Sequence, residues 1–180
     1  MKITIINICF IVLILMSVYS TRPCFGQHTK LGGSKMWSPP DKSFTIEVPV
    51  KLKEVKVGDK NYFDLGYESS KSFRGEEASR FFTVAIINLD DSRAKMNSKE
   101  KFNEFDLISR NQNPANPFPE KYFDIDGLPA KEVLVEIWHQ RYMVIDGGDK
   151  LFMFALGVKN IKDLNSVVAK RFFTSFHLLK

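Results

Sequence analysis

Three histidines supply the only imidazoles of this chain: His28, His139 and His177. A serine or threonine becomes a nucleophile when such a base takes its proton and a third group orients the base. His28 falls in a polar stretch, His139 ends an apolar run, and His177 stands near the last residue. No Gly-x-Ser-x-Gly elbow accompanies them. Hydrolysis would therefore need a set assembled only in three dimensions. Three acidic pairs offer a second chemistry: Asp90 with Asp91, Asp124 with Asp126, and Asp146 with Asp149. Oxygen donors near strand ends suit a hard cation. Their spacing matches neither a calcium loop nor a His-Glu-x-x-His helix, and aspartates in tight turns accept local backbone hydrogen bonds. Gly32-Gly33-Ser34-Lys35 has the wrong spacing for a phosphate loop and follows no strand. The sequence designates no catalytic, cofactor-binding or metal-ligating residues, and no cofactor is expected.

Thiol chemistry is bounded by position. The two cysteines, Cys9 and Cys24, both lie in the first 26 residues. That segment has the three parts of a secretory signal peptide. Met1-Lys2 is a short charged start, Ile3–Tyr19 is almost wholly apolar, and Thr21-Arg22-Pro23 breaks the run ahead of Cys24-Phe25-Gly26. Cleavage after Gly26 is expected, leaving a mature chain that starts at Gln27 and has no cysteine. It would work outside the cytoplasm, in the periplasm or the extracellular space. Three alternatives stay open. One is a cut after Ser20. Another is lipidation at Cys24, though Arg22-Pro23 fits poorly beside a lipoprotein cut. The third is an uncleaved anchor, for which the apolar run is short against the ~20 residues of a spanning helix.

The whole chain carries 26 basic and 21 acidic side chains, a net charge of +5. Setting aside Lys2 and Arg22 leaves 24 against 21, a net of +3. Basic residues are interleaved with acids, as in Lys51-Leu52-Lys53-Glu54, rather than gathered in a stripe. No nucleic-acid partner is expected from that pattern. No later segment is long and apolar enough to span a membrane, so no stable span is expected after processing.

The elements that must hold any site follow from periodicity. Residues 27–36 read as a flexible lead-in, and residues 37–180 as a single α+β domain. Phe44–Val48 alternates apolar and polar as a half-buried strand does, and Pro49 closes it. Lys53–Val57 alternates again, Gly58-Asp59 turns, and Tyr62–Glu68 suggests another strand. Arg74–Glu77 reads as a charged turn. Phe81–Asn88 is apolar on both faces and belongs in the middle of a sheet. The period then changes. Asn97-Ser98-Lys99-Glu100 has the form of a capping box, and Phe102, Phe105 and Ile108 recur at helical spacing over Ser98–Asn111. Pro114, Pro117 and Pro119 mark a long irregular loop. Four strands follow: Tyr122–Asp126, Ala130–His139, Arg141–Asp146 and Lys150–Lys159. Gly127-Leu128-Pro129 is the first connection, and Asp146-Gly147-Gly148-Asp149 is a strong hairpin signal. They predict an antiparallel meander. Asn160 can cap a closing helix with Ile161, Leu164, Val167, Val168 and Phe172 on one face. Ser175–Leu179 can tuck back onto the sheet.

Four segments carry a family resemblance. Trp37 with Lys42-Ser43-Phe44-Thr45-Ile46-Glu47-Val48-Pro49 is similar to the opening of the PsbP-like superfamily. Ile125-Asp126-Gly127-Leu128-Pro129-Ala130-Lys131-Glu132 is similar to one of its strand connections. Lys150–Gly157 and Phe173-Thr174-Ser175-Phe176-His177-Leu178 resemble its penultimate and closing segments. They span nearly the whole chain after residue 26, in the family's order. The resemblance implies an antiparallel β-sheet flanked by helices, an α/β/α sandwich. It implies little about activity. The plant namesake is an extrinsic subunit of photosystem II, and many small exported bacterial members have no defined role. The resulting expectation is a non-enzymatic binding or accessory protein of the cell envelope. Its partner, a protein or a small ligand, and its oligomeric state are unspecified. The alternatives are a hydrolase with a site formed only in three dimensions and a carrier of a small apolar ligand.

The processing step is directly testable. Intact-mass analysis of the exported protein is expected to give a chain beginning at Gln27. A mass beginning at Thr21, a lipid adduct on Cys24, or full-length protein in the membrane fraction would each overturn the Gly26 assignment.

Overall fold

A computed structural model describes residues 35–55, 69–77, 79–110, 119–136 and 139–179. The leader, the strand expected over Tyr62–Glu68 and most of the proline-containing loop, with Pro114 and Pro117, lie outside the described residues. The strands are β1 (Lys35–Trp37), β2 (Phe44–Val48), β3 (Lys53–Val55), β4 (Ser69–Glu77), β5 (Arg80–Asn88), β6 (Glu120–Ile125), β7 (Leu128–Val135), β8 (Gln140–Asp146), β9 (Lys150–Val158) and β10 (His177–Leu178). The helices are α1 (Asp91–Ala94), α2 (Ser98–Arg110) and α3 (Val167–Thr174), with a 3-10 turn over Ile161–Asn165.

Seven strands form an antiparallel sheet in the order β3-β4-β5-β9-β8-β7-β6, and β1-β2-β10 form a second, smaller sheet. The expected meander is present as β6-β7-β8-β9. Its last strand pairs with β5 over nine residues, from Arg80 opposite Val158 to Asn88 opposite Lys150. β5 and β9 are apolar on both faces, so both faces of the large sheet need a cover.

The first face is covered by aromatic packing. Phe82, Val84, Phe152, Phe154 and Leu156 meet Phe44 and Ile46 of β2 and Leu164, Ala169, Phe172, Phe173 and Phe176 of the C-terminal segment. Phe44 makes edge contacts with Phe152 and Phe154 at centroid separations of 5.2 and 5.5 Å. Trp37 stands 4.9 Å from Phe73. Each fully buried phenylalanine contributes about 1.5–3 kcal/mol relative to exposure. The second face carries Ile87, Leu89, Val133, Val135, Tyr142, Val144, Leu151 and Ala155. Among the described residues α2 meets it with only two buried aromatic side chains, Phe102 and Phe105.

Four expectations need correction. Arg74–Glu77 is strand, not turn: it completes β4, with Arg74 opposite Thr83 and Glu77 opposite Arg80. The run borders the short edge strand β3, and Phe73 just before it is buried in the core. Leu128 and Pro129 belong to β7 rather than to the connection, which is the two-residue turn Asp126-Gly127. Both turn residues have positive φ, 53° and 78°, the geometry that matches the twist of a hairpin. The closing helix is broken at Ser166, which leaves the helical region (φ −62°, ψ 160°) and caps α3 by accepting from Ala169 N at 3.3 Å. Its inward face is therefore Leu164, Ala169, Phe172 and Phe173, while Val167 stays 65% exposed. Lys35 and Met36, placed in the lead-in, pair with Val48 and Glu47 in β1-β2. The helices are few, so the described architecture is an antiparallel, mostly β member of the α+β class.

Gly75 shows how tightly β4 seats against the chain before β3. A Cβ there would collide with the Val50 side chain and lie 2.9 Å from Lys51 O. A backbone oxygen cannot swing aside as a long side chain can. Gly75→Ala is expected to destabilise the fold by about 1–3 kcal/mol. A lower urea midpoint with an unchanged slope would show it, and an unchanged midpoint would mean that this approach is looser than described.

Candidate functional site

The residues singled out for chemistry are dispersed by the fold. His28 lies outside the described residues. His139 sits in the tight connection to β8 with φ 50°, and its Nδ1 is 3.0 Å from Lys159 O. His177 Nδ1 lies 3.2 Å from Asp126 Oδ2, and the same carboxylate oxygen accepts from Leu178 N at 2.6 Å. The β6–β7 turn is thereby tied to β10. A histidine held by a carboxylate is half of a hydrolytic set. Among the described residues no hydroxyl is recorded as a partner of His177, whose side chain is 65% exposed.

In each acidic pair one carboxylate has recorded partners: Asp90, Asp126 and Asp146. Asp90 caps α1: its Oδ1 accepts from Ser92 N at 3.0 Å, Ser92 Oγ at 2.6 Å and Arg93 N at 2.9 Å, and its Oδ2 meets the Arg93 guanidinium. Asp124 stands opposite Pro129 in the β6–β7 ladder. Asp149 uses its backbone carbonyl to accept from Leu89 N at 2.9 Å. No group of three or more metal-ligating side chains comes together among the described residues.

The strongest concentration of charge was missed at the sequence level. It lies between α2 and the second face of the large sheet. Lys101, 5% exposed, donates to Asp146 Oδ1 and Oδ2 at 2.9 and 3.2 Å and to Gly148 O at 2.7 Å. Ser98 Oγ donates to the same carboxylate at 2.7 Å, and Gly148 N at 2.8 Å. The Asp-Gly-Gly-Asp turn, read as a hairpin device, thus also anchors the start of α2. At the other end Lys131, 1% exposed, pairs with Asp106 and lies 3.1 Å from Glu120 Oε1. Tyr142 Oη donates to Asp106 Oδ1 at 3.3 Å, and the Lys131 ammonium sits 5.5 Å from the centre of the Tyr122 ring. Partial burial raises the Tyr122 phenol above its ordinary pKa; the Lys131 charge pulls it back, and the hydrogen bond to Glu120 reinforces the rise.

A signal for these lysines existed. Lys131 has the strand parity of Val133 and Val135, and Lys101 falls on the stripe of Phe102 and Phe105. A charge on an apolar face of either element has to find a counter-charge there.

A second polar cluster fixes the C-terminal cover. Arg141 donates to Glu132 Oε2 at 2.7 Å, and its guanidinium lies 4.5 Å from the centre of the Phe173 ring. Among the described residues its Nε has no hydrogen-bond partner. No helix among the described residues is long and apolar enough to cross a membrane.

The antiparallel seven-stranded sheet with its few helices defines the class as a mostly β α+β fold. Comparison with solved structures makes it specific: the chain has a PsbP-like fold. The solution structure of cyanobacterial PsbP (CyanoP) from Synechocystis sp. PCC 6803 matches with a TM-score of 0.54 at 16% identity, over 86% of this chain and 99% of that one. At that identity the likeness is one of fold. No protein-family model and no curated protein matches the sequence.

Asp90 gives this region a measurable acid response. The Ser92 hydroxyl and the Arg93 amide, with help from the Arg93 guanidinium, bring its carboxyl from 3.8 down to about 2. A depressed folded-state value means that the cap stabilises above pH 3.8 and that this stabilisation is lost as pH falls through about 2. Carboxyl-detected NMR titration is expected to place the Asp90 midpoint near 2. A midpoint at the ordinary aspartate value would show that the cap does not form in solution.

Proposed function

We propose that this chain is an exported, non-enzymatic binding or accessory protein of the cell envelope. Its seven-stranded sheet would be the middle layer of an α/β/α arrangement. One observation carries the reading: the PsbP-like fold, shared over almost the full length of the cyanobacterial protein, on a chain that opens with a signal-peptide pattern. The use of polar groups supports it. Asp90 caps a helix, Asp106 and Asp146 neutralise buried lysines, and His139 binds a backbone carbonyl. These groups serve the fold. The partner is then a protein or a small ligand met outside the cytoplasm, and nucleic acid is not among the candidates.

A hydrolytic reading has one feature in its favour, the His177–Asp126 pair. Among the described residues no hydroxyl is recorded beside it, and the pair ties β10 to the β6–β7 turn.

Fractionation with in-cell crosslinking tests the proposal. The processed chain is expected outside the cytoplasm, crosslinked reproducibly to an envelope component or carrying a ligand in native mass spectrometry. Full-length protein confined to the cytoplasm would overturn the exported role. Ester or amide turnover lost in His177→Ala would overturn the non-enzymatic one.

A further inference from the structure

The two faces of the large sheet are covered by different physics. On the first face β2, β10, the 3-10 turn and α3 contribute interlocked aromatic rings. On the second face α2 contributes Phe102 and Phe105 among the described side chains, and beside them two buried ionic pairs. When an aromatic cover lifts, apolar area meets water on both surfaces. When an ionic cover lifts, both partners regain the hydration that burial took from them, so the net hold of a buried pair is small.

Beside Phe102 and Phe105, the described polar ties of α2 are of the second kind. Lys101 and Ser98 bind Asp146, and Asp106 binds Lys131 and Tyr142. Glu104 pairs with Arg93 at 2.7 Å and joins α2 to α1. The stretch Asp91–Arg110 is thus linked within itself. It departs from β5 at Leu89, which is buried and donates its amide to Asp149 O at 2.9 Å.

We infer that α1 and α2 form a latched cover, which leaves the second face of the sheet as a unit, well short of global unfolding, with the Lys101–Asp146 and Asp106–Lys131 pairs as its latches. Opening hinges at Leu89-Asp90. It uncovers the β7–β8 strip of Val133, Val135, Tyr142 and Val144, with the Lys131 ammonium still beside Glu120 and the Asp146 carboxylate at the end of β8. The inference is independent of the accessory role and would stand if that role failed.

Hydrogen exchange on the full mature chain tests it, read at increasing urea below the unfolding midpoint. Amides of Phe102–Asp106 are expected to exchange about tenfold or more faster than those of β5 and β9, with a shallower urea dependence, as a sub-global opening requires. Lys101→Met is expected to speed exchange in α2 about tenfold again while β5 and β9 keep their protection. Replacing the other pair by apolar groups, Lys131→Met with Asp106→Leu, is expected to leave exchange in α2 unchanged or slower. Equal rates and equal urea slopes in α2, β5 and β9 of the wild-type chain would overturn the inference, whatever the variants do. So would a Lys101→Met variant that loses protection equally in the helix and the sheet.

Discussion

Pairing of β5 with β9 is the contact on which the rest of the molecule depends. It joins residues 80–88 to residues 150–158 and so closes the chain over everything between them. A closure of that length costs entropy before any contact repays it. What compensates is that both strands bury side chains on both faces. Phe82 and Val84 of β5 and Phe152, Phe154 and Leu156 of β9 fill one side. Ile87, Leu151 and Ala155 fill the other. A strand buried twice over dictates its surroundings, because neither face can be left to water. The segment between β5 and β9 supplies three more strands with α1 and α2, and β2 together with the segment after β9 supplies the opposite cover.

The parts of the fold legible in the sequence are those in which a local rule and the tertiary structure agree. Phe44–Val48 alternates because β2 lies on the core with one face, and its buried residues are Phe44, Ile46 and Val48. The capping box at Asn97 forms as its residues suggest: Glu100 N donates to Asn97 Oδ1 at 3.0 Å and Asn97 N to Glu100 Oε2 at 3.1 Å. The Asp146–Asp149 turn joins β8 to β9. Where local and tertiary demands part, the sequence misleads. Arg74-Gly75-Glu76-Glu77 has turn composition, yet it is strand because β5 offers it a full ladder. Ile161–Phe172 has helical spacing, yet Ser166 interrupts it. One unbroken helix could not bring both Leu164 and the pair Phe172-Phe173 onto the sheet.

The candidate chemistry was illegible for a different reason. Histidines and acidic pairs stand out because those residue types make sites in many proteins. In this fold the acids meet lysines and amides instead. Lysines at positions 101 and 131 look like ordinary surface charges when read one residue at a time. Only the parity of Lys131 with Val133 and Val135, and the register of α2 over β7 and β8, reveal that they are inside. A buried ionic set depends on elements distant in sequence, so its partners appear only when the sheet order is known.

The arrangement of those charges also explains why α2 has one seat. The helix presents a cation near its start, Lys101, and an anion further on, Asp106. The sheet presents the complementary order, Asp146 at the end of β8 and Lys131 within β7. A helix laid across the same face in the reverse direction would set Lys101 against Lys131 and Asp106 against Asp146. In a face that excludes water, two such like-charge contacts are far more costly than the same contacts at a surface. Phe102 and Phe105 could find apolar neighbours in either orientation, since Val133, Val135 and Val144 line the strip without direction. Apolar contact brings the helix to the sheet, and the crossed ionic pairs decide which way it lies. The same division of labour is what a latched cover requires, since interactions that discriminate strongly between orientations contribute little against separation into water.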